Sequence, residues 1–193
     1  MSFYNPDELQ KMGFLSVGTN VRLSSKASIY GASRISLGSH SRIDDFCVLS
    51  AGDGGIDIGR NVHVAVMSSL IGKGPITIGD FCNISSRVSI YSSSDNYSGD
   101  FLTNPTVPEE FTNVDHRGVT LKRHVIIGSG TIILPSVIIN EGTAVGALSL
   151  VSKDLEPYSI YAGNPIKRLN SRSKRLFELE KLYLDSEQFN KEI

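Results

Sequence analysis

Residues 121–151 read LKRHVIIGSGTIILPSVIINEGTAVGALSLV, with an aliphatic residue at every sixth position: Leu121, Ile127, Ile133, Ile139, Val145 and Val151. This period is neither the 3.6 of an amphipathic helix nor the simple alternation of a half-buried strand. Towards the N-terminus the same spacing recurs in triplets. They are Val17, Leu23, Ile29; Leu37, Ile43, Leu49; Ile58, Val64, Leu70; and Ile78, Ile84, Ile90. Glycine often follows the aliphatic (Gly18, Gly38, Gly59, Gly79, Gly128, Gly146). A small residue usually stands four places after it, as at Ala27, Ser33, Ser41, Cys47, Val62, Cys82, Val125 and Thr143.

A six-residue period is the mark of a parallel β-helix. Each hexad supplies one short strand and one corner, and three hexads close one coil of a triangular prism. The aliphatic and the small residue both point inward, so stacked coils bury a continuous column. Each buried aliphatic contributes roughly 1.5–3 kcal/mol, enough in sum to hold the fold without large helices. The glycines suit corners where the backbone bends sharply or takes a left-handed φ. The expected class is all-β, a left-handed parallel β-helix spanning 17–155.

The breaks in the period are equally informative. Ile29 to Leu37, Leu49 to Ile58, Leu70 to Ile78 and Ile90 to Leu121 are all longer than six residues, and each follows the third hexad of a triplet. All insertions therefore leave the same corner. The longest, about 91–118, must protrude from that edge, and loops of this length in compact domains are usually functional or disordered. Its residue content is specific rather than low-complexity, which favours function.

The flanks read as helices within a single domain, 1–193. A short one lies in 1–16, opened by Asn5-Pro6-Asp7 with Asn5 or Asp7 as cap. An amphipathic one over 171–184 carries Leu176, Phe177, Leu179, Leu182 and Tyr183 on one face, to pack on the prism or on a neighbouring subunit. Nineteen basic against twenty acidic residues give a net charge of −1, which speaks against a general nucleic-acid binder. No apolar run reaches the roughly 20 residues of a membrane span, and no basic-then-apolar leader opens the chain. Two cysteines without a CxxC fit a reducing, cytoplasmic setting, and both occupy the inward small-residue slot.

The hexads, together with VGALSLVSKDLEPYSIYAGNPIKRL at 145–169, resemble the hexapeptide-repeat acetyltransferases. More narrowly the chain looks like the maltose, galactoside and polysaccharide-sugar O-acetyltransferases over roughly Val17 to Leu169. The resemblance implies an acyl-CoA-dependent acetyltransferase with acetyl-CoA as co-substrate, and a homotrimer whose active sites lie at subunit boundaries. Carried over by position, backbone groups at Ser129 and Ala147 would contact the pantetheine arm. Ser152 and Lys153 would follow along the same channel, and Lys167 would lie near the CoA phosphates, with Arg168 adding charge. Phosphates favour such cations. Without the resemblance, these lysines read equally well as a solvated end cap.

Acyl transfer needs a base for the nucleophile's proton and a donor for the oxyanion. The resembled enzymes place a histidine in the protruding loop, where this chain has Asp95, and an amide where it has Arg87. Three replacements for the base are open. Asp95 could act itself or orient a histidine. His116 lies in the same loop. His63 should stack beside Asn83 on a flat outer face, about 4.8 Å apart, as an acid–base pair. The bland readings are a turn residue, a solvated loop histidine and an interface histidine. His40 and His124 fall at corners and read as structural.

A zinc lyase on the same fold would need three converging histidines, and the four here are scattered. A non-catalytic scaffold or binding module is the other alternative, against which the CoA-like tail argues. The expected acceptor is a sugar or glycan hydroxyl in polysaccharide biosynthesis, with N-acetylation of an amino sugar nucleotide as the alternative.

Overall fold

The computed structural model describes residues 2–189. Three parallel sheets form the faces of a left-handed prism, with six, eight and six strands. The first face stacks Ser16–Val17, Ile35–Leu37, Ile56–Ile58, Ile76–Ile78, Val119–Leu121 and Ile138–Ile139. The second begins with Arg22–Leu23, Arg42–Ile43, His63–Val64, Asn83–Ile84, Ile126–Ile127 and Ala144–Val145. The third holds Ser28–Tyr30, Val48–Ala51, Ser69–Gly72, Ser89–Tyr91, Ile132–Ile133 and Leu150–Val151. The hexad aliphatics stand in register: Leu23 over Ile43, Val64, Ile84, Ile127 and Val145. The first five are fully buried. Most of the small slot is buried as well, including Ser41, Cys47, Val125 and Thr143. Ser33 departs from it, lying exposed in a short 3-10 turn, Ala32–Arg34, within an inserted corner.

The corner glycines have a different reason from the one expected. Gly18, Gly38, Gly59, Gly79 and Gly128 are not left-handed. A Cβ on any of them would come under 3.0 Å from backbone of the next coil. Left-handed φ falls two residues after the first corner position, on Asn20, His40, Asn61, Phe81 and, after Lys122, His124 at the corner between the first and second faces. At the corner between the second and third faces it falls on Phe46, Met67, Arg87, Gly130 and Leu148. At these five glycines the next coil lies too close for a side chain, while the left-handed residue points its own out of the coil.

The insertions do share one corner, between the third and first faces. There Ser93–Ser94 pairs antiparallel with Asp115–His116 as the stem of the long loop. The largely exposed residues between them include a 3-10 turn, Glu109–Phe111.

Both flanks shift from expectation. Helix α1 is Pro6–Lys11 only, closed by a capping box in which Asn5 Oδ1 accepts the Glu8 amide at 2.9 Å. Leu9, 4% exposed, belongs to the hydrophobic core cluster. At the other end the prism does not stop at 155. Leu155 pairs beneath Ile139 and Tyr161 beneath Val145, extending the column. Ser159–Ala162 and the antiparallel Lys167–Ser171 complete the eight-stranded second face. Ser171 is therefore strand, and helix α2 spans Leu176–Phe189. α2 packs on the prism through Phe177 and Tyr183, while Leu179 and Leu182 stay exposed. Among the described residues no helix is long and apolar enough to cross a membrane.

Candidate active site

The corner between the second and third faces collects most of the residues singled out by sequence. The positions after the buried aliphatics run Ser24, Asp44, Ala65, Ser85, Gly128, Gly146 from coil to coil. The next positions run Asp45, Val66, Ser86, Ser129, Ala147. Amide-to-carbonyl bonds step up this edge: Met67 N–H donates to Asp45 O at 3.1 Å, Arg87 to Val66 at 3.1 Å, Gly130 to Ser86 at 3.0 Å, and Leu148 to Ser129 at 2.9 Å. Ser129 and Ala147 are thus exposed neighbours on one edge. Ser152 and Lys153 are exposed just past the last strand of the third face, and Lys167 is exposed at the start of the returning strand. Arg168 is held by Ser159 Oγ at 3.1 Å and Ser171 Oγ at 3.0 Å.

On the adjoining second face His63 and Asn83 stand side by side, with His63 Nδ1 3.1 Å from Asn83 Oδ1. The structure adds Asp44, which the sequence reading missed. Its Oδ2 lies 2.9 Å from His63 Nε2, and its Oδ1 accepts Arg42 Nε–H at 2.6 Å. Burial pushes the Asp44 carboxyl up, but the His63 and Arg42 hydrogen bonds and charges outweigh it and hold it below its ordinary 3.8. The signal was present: Asp44 is the one carboxylate in a row otherwise made of serine, alanine and glycine. As the Asn83 amide is placed, both imidazole nitrogens face acceptor oxygens; with the amide turned, its NH2 donates to Nδ1. In both cases the two nitrogens have partners within the chain.

The loop residues lie elsewhere. Asp95 is exposed just past the stem strand, and its Oδ1 accepts the Asn104 amide at 3.4 Å. It borders two clefts, one of about 500 Å³ with Asn113 and Arg117, the other of about 280 Å³ with Tyr91, Ile132 and Pro135. Neither includes His63, Asn83 or His116. His116 is exposed in the stem, with Nδ1 2.7 Å from Ser93 Oγ, which also accepts the Lys73 amide at 2.8 Å. Asp95 leaves the third-to-first corner, whereas Ser85, Ser129 and Ala147 line the second-to-third corner. One whole face of the prism separates these two edges.

His124 sits under α2, with Nε2 2.7 Å from Glu180 Oε2 and its ring stacked on Phe81 at 5.2 Å. His40 is a left-handed corner residue. Cys47 and Cys82 are core residues, and burial pushes their thiols up to about 11 and about 12. Among the described residues no three His, Cys, Asp or Glu side chains gather as a metal set.

The prism and its corner match known proteins along their length, although no family model matches the chain. A dTDP-4-amino-4,6-dideoxy-D-glucose acyltransferase of Escherichia coli is 54% identical over 186 residues, 96% of this chain and 97% of that one. AntD, an N-acyltransferase from Bacillus cereus solved with dTDP and 3-hydroxybutyryl-CoA, superposes with a TM-score of 0.92. It is 46% identical, over 97% of this chain and 98% of AntD. AntD has also been solved as variants at one serine and at one aspartate ten positions further on. Galactoside O-acetyltransferase of Escherichia coli is 29% identical over 63% of this chain and 58% of its own.

The chain belongs to the hexapeptide-repeat acyltransferases, left-handed β-helix enzymes that use acyl-CoA. Within them, the E. coli acyltransferase and AntD match it nearly end to end, whereas the galactoside enzyme matches 63% of it.

Proposed function

We propose that this protein transfers an acyl group, with acetyl-CoA as the simplest donor, to the 4-amino group of dTDP-4-amino-4,6-dideoxyglucose. The amine thus replaces the sugar hydroxyl first expected. The observation that carries the reading is the full-length match to an acyltransferase named for this substrate. The departure at Asp95 supports it. A hydroxyl acceptor asks for a neutral base such as histidine. An amino sugar arrives largely as an ammonium, which a carboxylate both attracts and relieves of its proton.

In this reading Asp95 binds the ammonium and takes one proton, which frees the nitrogen lone pair; the neutral amine then attacks the thioester carbonyl and gives up a second proton as the C–S bond breaks. The sulfur leaves as the CoA thiolate and is then protonated. Ser85 orients the amine from the open corner. Ser85 and Asp95 are the only serine and aspartate ten positions apart in this order in the sequence, the spacing of the two varied residues of AntD. Because the two stand on different edges of the prism, a second copy would bring its loop to this corner, which supports a homotrimer completed in trans.

The direct experiment incubates the purified protein with acetyl-CoA and the dTDP-linked amine, following thiol release and product mass. An amide product with no turnover of simple glycosides is expected. Glycoside acetylation with an inert dTDP-amine would return the assignment to the hydroxyl. Mixing refolded Ser85→Ala and Asp95→Asn chains tests the assembly. Activity should reappear in mixed trimers, and mixtures as inactive as either variant alone would place both residues of a site in one chain.

A further inference from the structure

Helix α2 is fastened to the prism by one side only. Phe177 and Glu180 meet His124 there, and Tyr183 meets Phe81. Leu179 and Leu182, one turn apart on the opposite side, are 52% and 65% exposed. Four exposed charges run beside them: Arg175, Glu178, Lys181 and Asp185. Their signs alternate along the chain, and none makes an ion pair among the described residues. The two end charges also run against the helix dipole. Arg175 stands at the helix start, where its carbonyl accepts the Leu179 amide at 3.1 Å, and Asp185 lies towards the other end. A cation at a helix N-terminus and an anion at its C-terminus are each unfavourable unless another charge answers them.

We propose that this outer side of α2 is an interface that pairs two copies of the chain, helix against antiparallel helix, about a two-fold axis. The leucines set the register. With Leu179 against the partner's Leu182, the axis falls between Glu180 and Lys181. The same register brings Arg175 beside the partner's Asp185 and Glu178 beside the partner's Lys181, and the two-fold repeats both pairs. All four charges then have an opposite neighbour, and Arg175 and Asp185 are answered where the dipole disfavours them. A parallel pairing in register sets like charges against like. Alternating signs that close on their own reversed copy favour a second copy over the helix of another protein. The pairing lies at the covered corner and leaves Ser85, Ser129 and Ala147 open. A two-fold contact cannot close a trimer, so in the trimer proposed above it would join one trimer to another. The pairing itself does not depend on that proposal or on the acceptor.

Sedimentation equilibrium of the full chain, from micromolar to submillimolar concentration, should show heavier species at multiples of the smallest assembly. Lys181→Glu sets acidic residues against each other and should weaken this association about tenfold or more. Adding Glu178→Lys exchanges the two charges and should restore it. Leu179→Ser with Leu182→Ser should abolish it, and CoA affinity measured by calorimetry should stay unchanged in every variant. A single mass over the whole range overturns the pairing and leaves the leucines to a helix of another protein. An association that survives the double serine variant, or that the charge exchange fails to restore, overturns it as well. Serine variants that break the smallest assembly itself would place α2 inside the trimer, which a two-fold contact forbids.

Discussion

At the corner between the first and second faces, Phe81, His124 and Tyr158 take left-handed φ and lie beneath α2. At the corner between the second and third faces, Phe46, Met67 and Leu148 take the same φ and lie open. The covered edge is dense in contacts. Phe177 meets His124 and Tyr158 edge-on at 5.0 and 5.7 Å, and Tyr183 meets Phe81 at 6.0 Å. Glu180 bridges His124 and Arg123, and Arg172 Nη1 donates to the carbonyls of His124 and Gly142 at 2.8 and 3.1 Å. A left-handed corner residue always projects out of the coil, so a large side chain there needs a partner from outside the prism. The chain supplies that partner at one corner. The other is left open, and in the proposed reading substrates and a second copy fill it.

The sharpest way to break this contrast is Asp95→Asn. The substitution keeps size and shape, and Asp95 makes no ion pair among the described residues, so melting should be unchanged. In the proposed reading Asp95 takes the amine's proton, so the substitution should lower kcat about 10²–10⁴-fold. Steady-state turnover of the dTDP-linked amine, beside a melting curve, measures both. Near-full activity would shift proton removal to His116 or His63.

Phe177→Ala tests the covered corner in the opposite sense. Losing this partly buried ring should cost about 2 kcal/mol, or roughly 5 °C in Tm for a chain of this size. CoA affinity and turnover at a temperature where the variant is folded should stay as they were. A variant that melts normally but loses CoA would mean that α2 serves the substrates rather than the prism.

The fold was legible because a hexad repeats the same physical demand many times. The run from Leu121 to Val151 needs one aliphatic and one small residue per strand, and one misread residue does not alter the period. The end of the prism was less legible because Leu155 and Tyr161 keep the column while Lys153, Asp154 and Pro157 break the pattern around them. The site was legible only in part. The His63–Asn83 pair follows from register alone, whereas Ser129 and Ala147 came from the family resemblance. Asp44 lay hidden because its partner His63 is nineteen residues away in sequence, and only stacking brings them together. The meeting of Asp95 with the open corner requires a second chain in the proposed reading, and no single-chain repeat encodes it.

Asp44→Asn decides to which side of the contrast the Arg42–Asp44–His63–Asn83 array belongs. The Asp44 carboxylate is 6% exposed and held below its ordinary 3.8 by His63 and Arg42. A carboxyl depressed in the folded state stabilises the protein above its unfolded pKa of about 3.9. That contribution is lost as pH falls through the lower folded value. The variant should therefore be less stable at neutral pH by about 1.5 kcal/mol, a deficit that shrinks as pH falls below about 4. Denaturant midpoints for both proteins between pH 7 and pH 3 measure the convergence. Because both His63 nitrogens are engaged within the chain, the pH–rate profile of the folded variant should match the wild type. A profile that shifts would show that Asp44 sets the protonation of a histidine acting at the open corner, and the array would then belong with Asp95 rather than with the stacking of the coils.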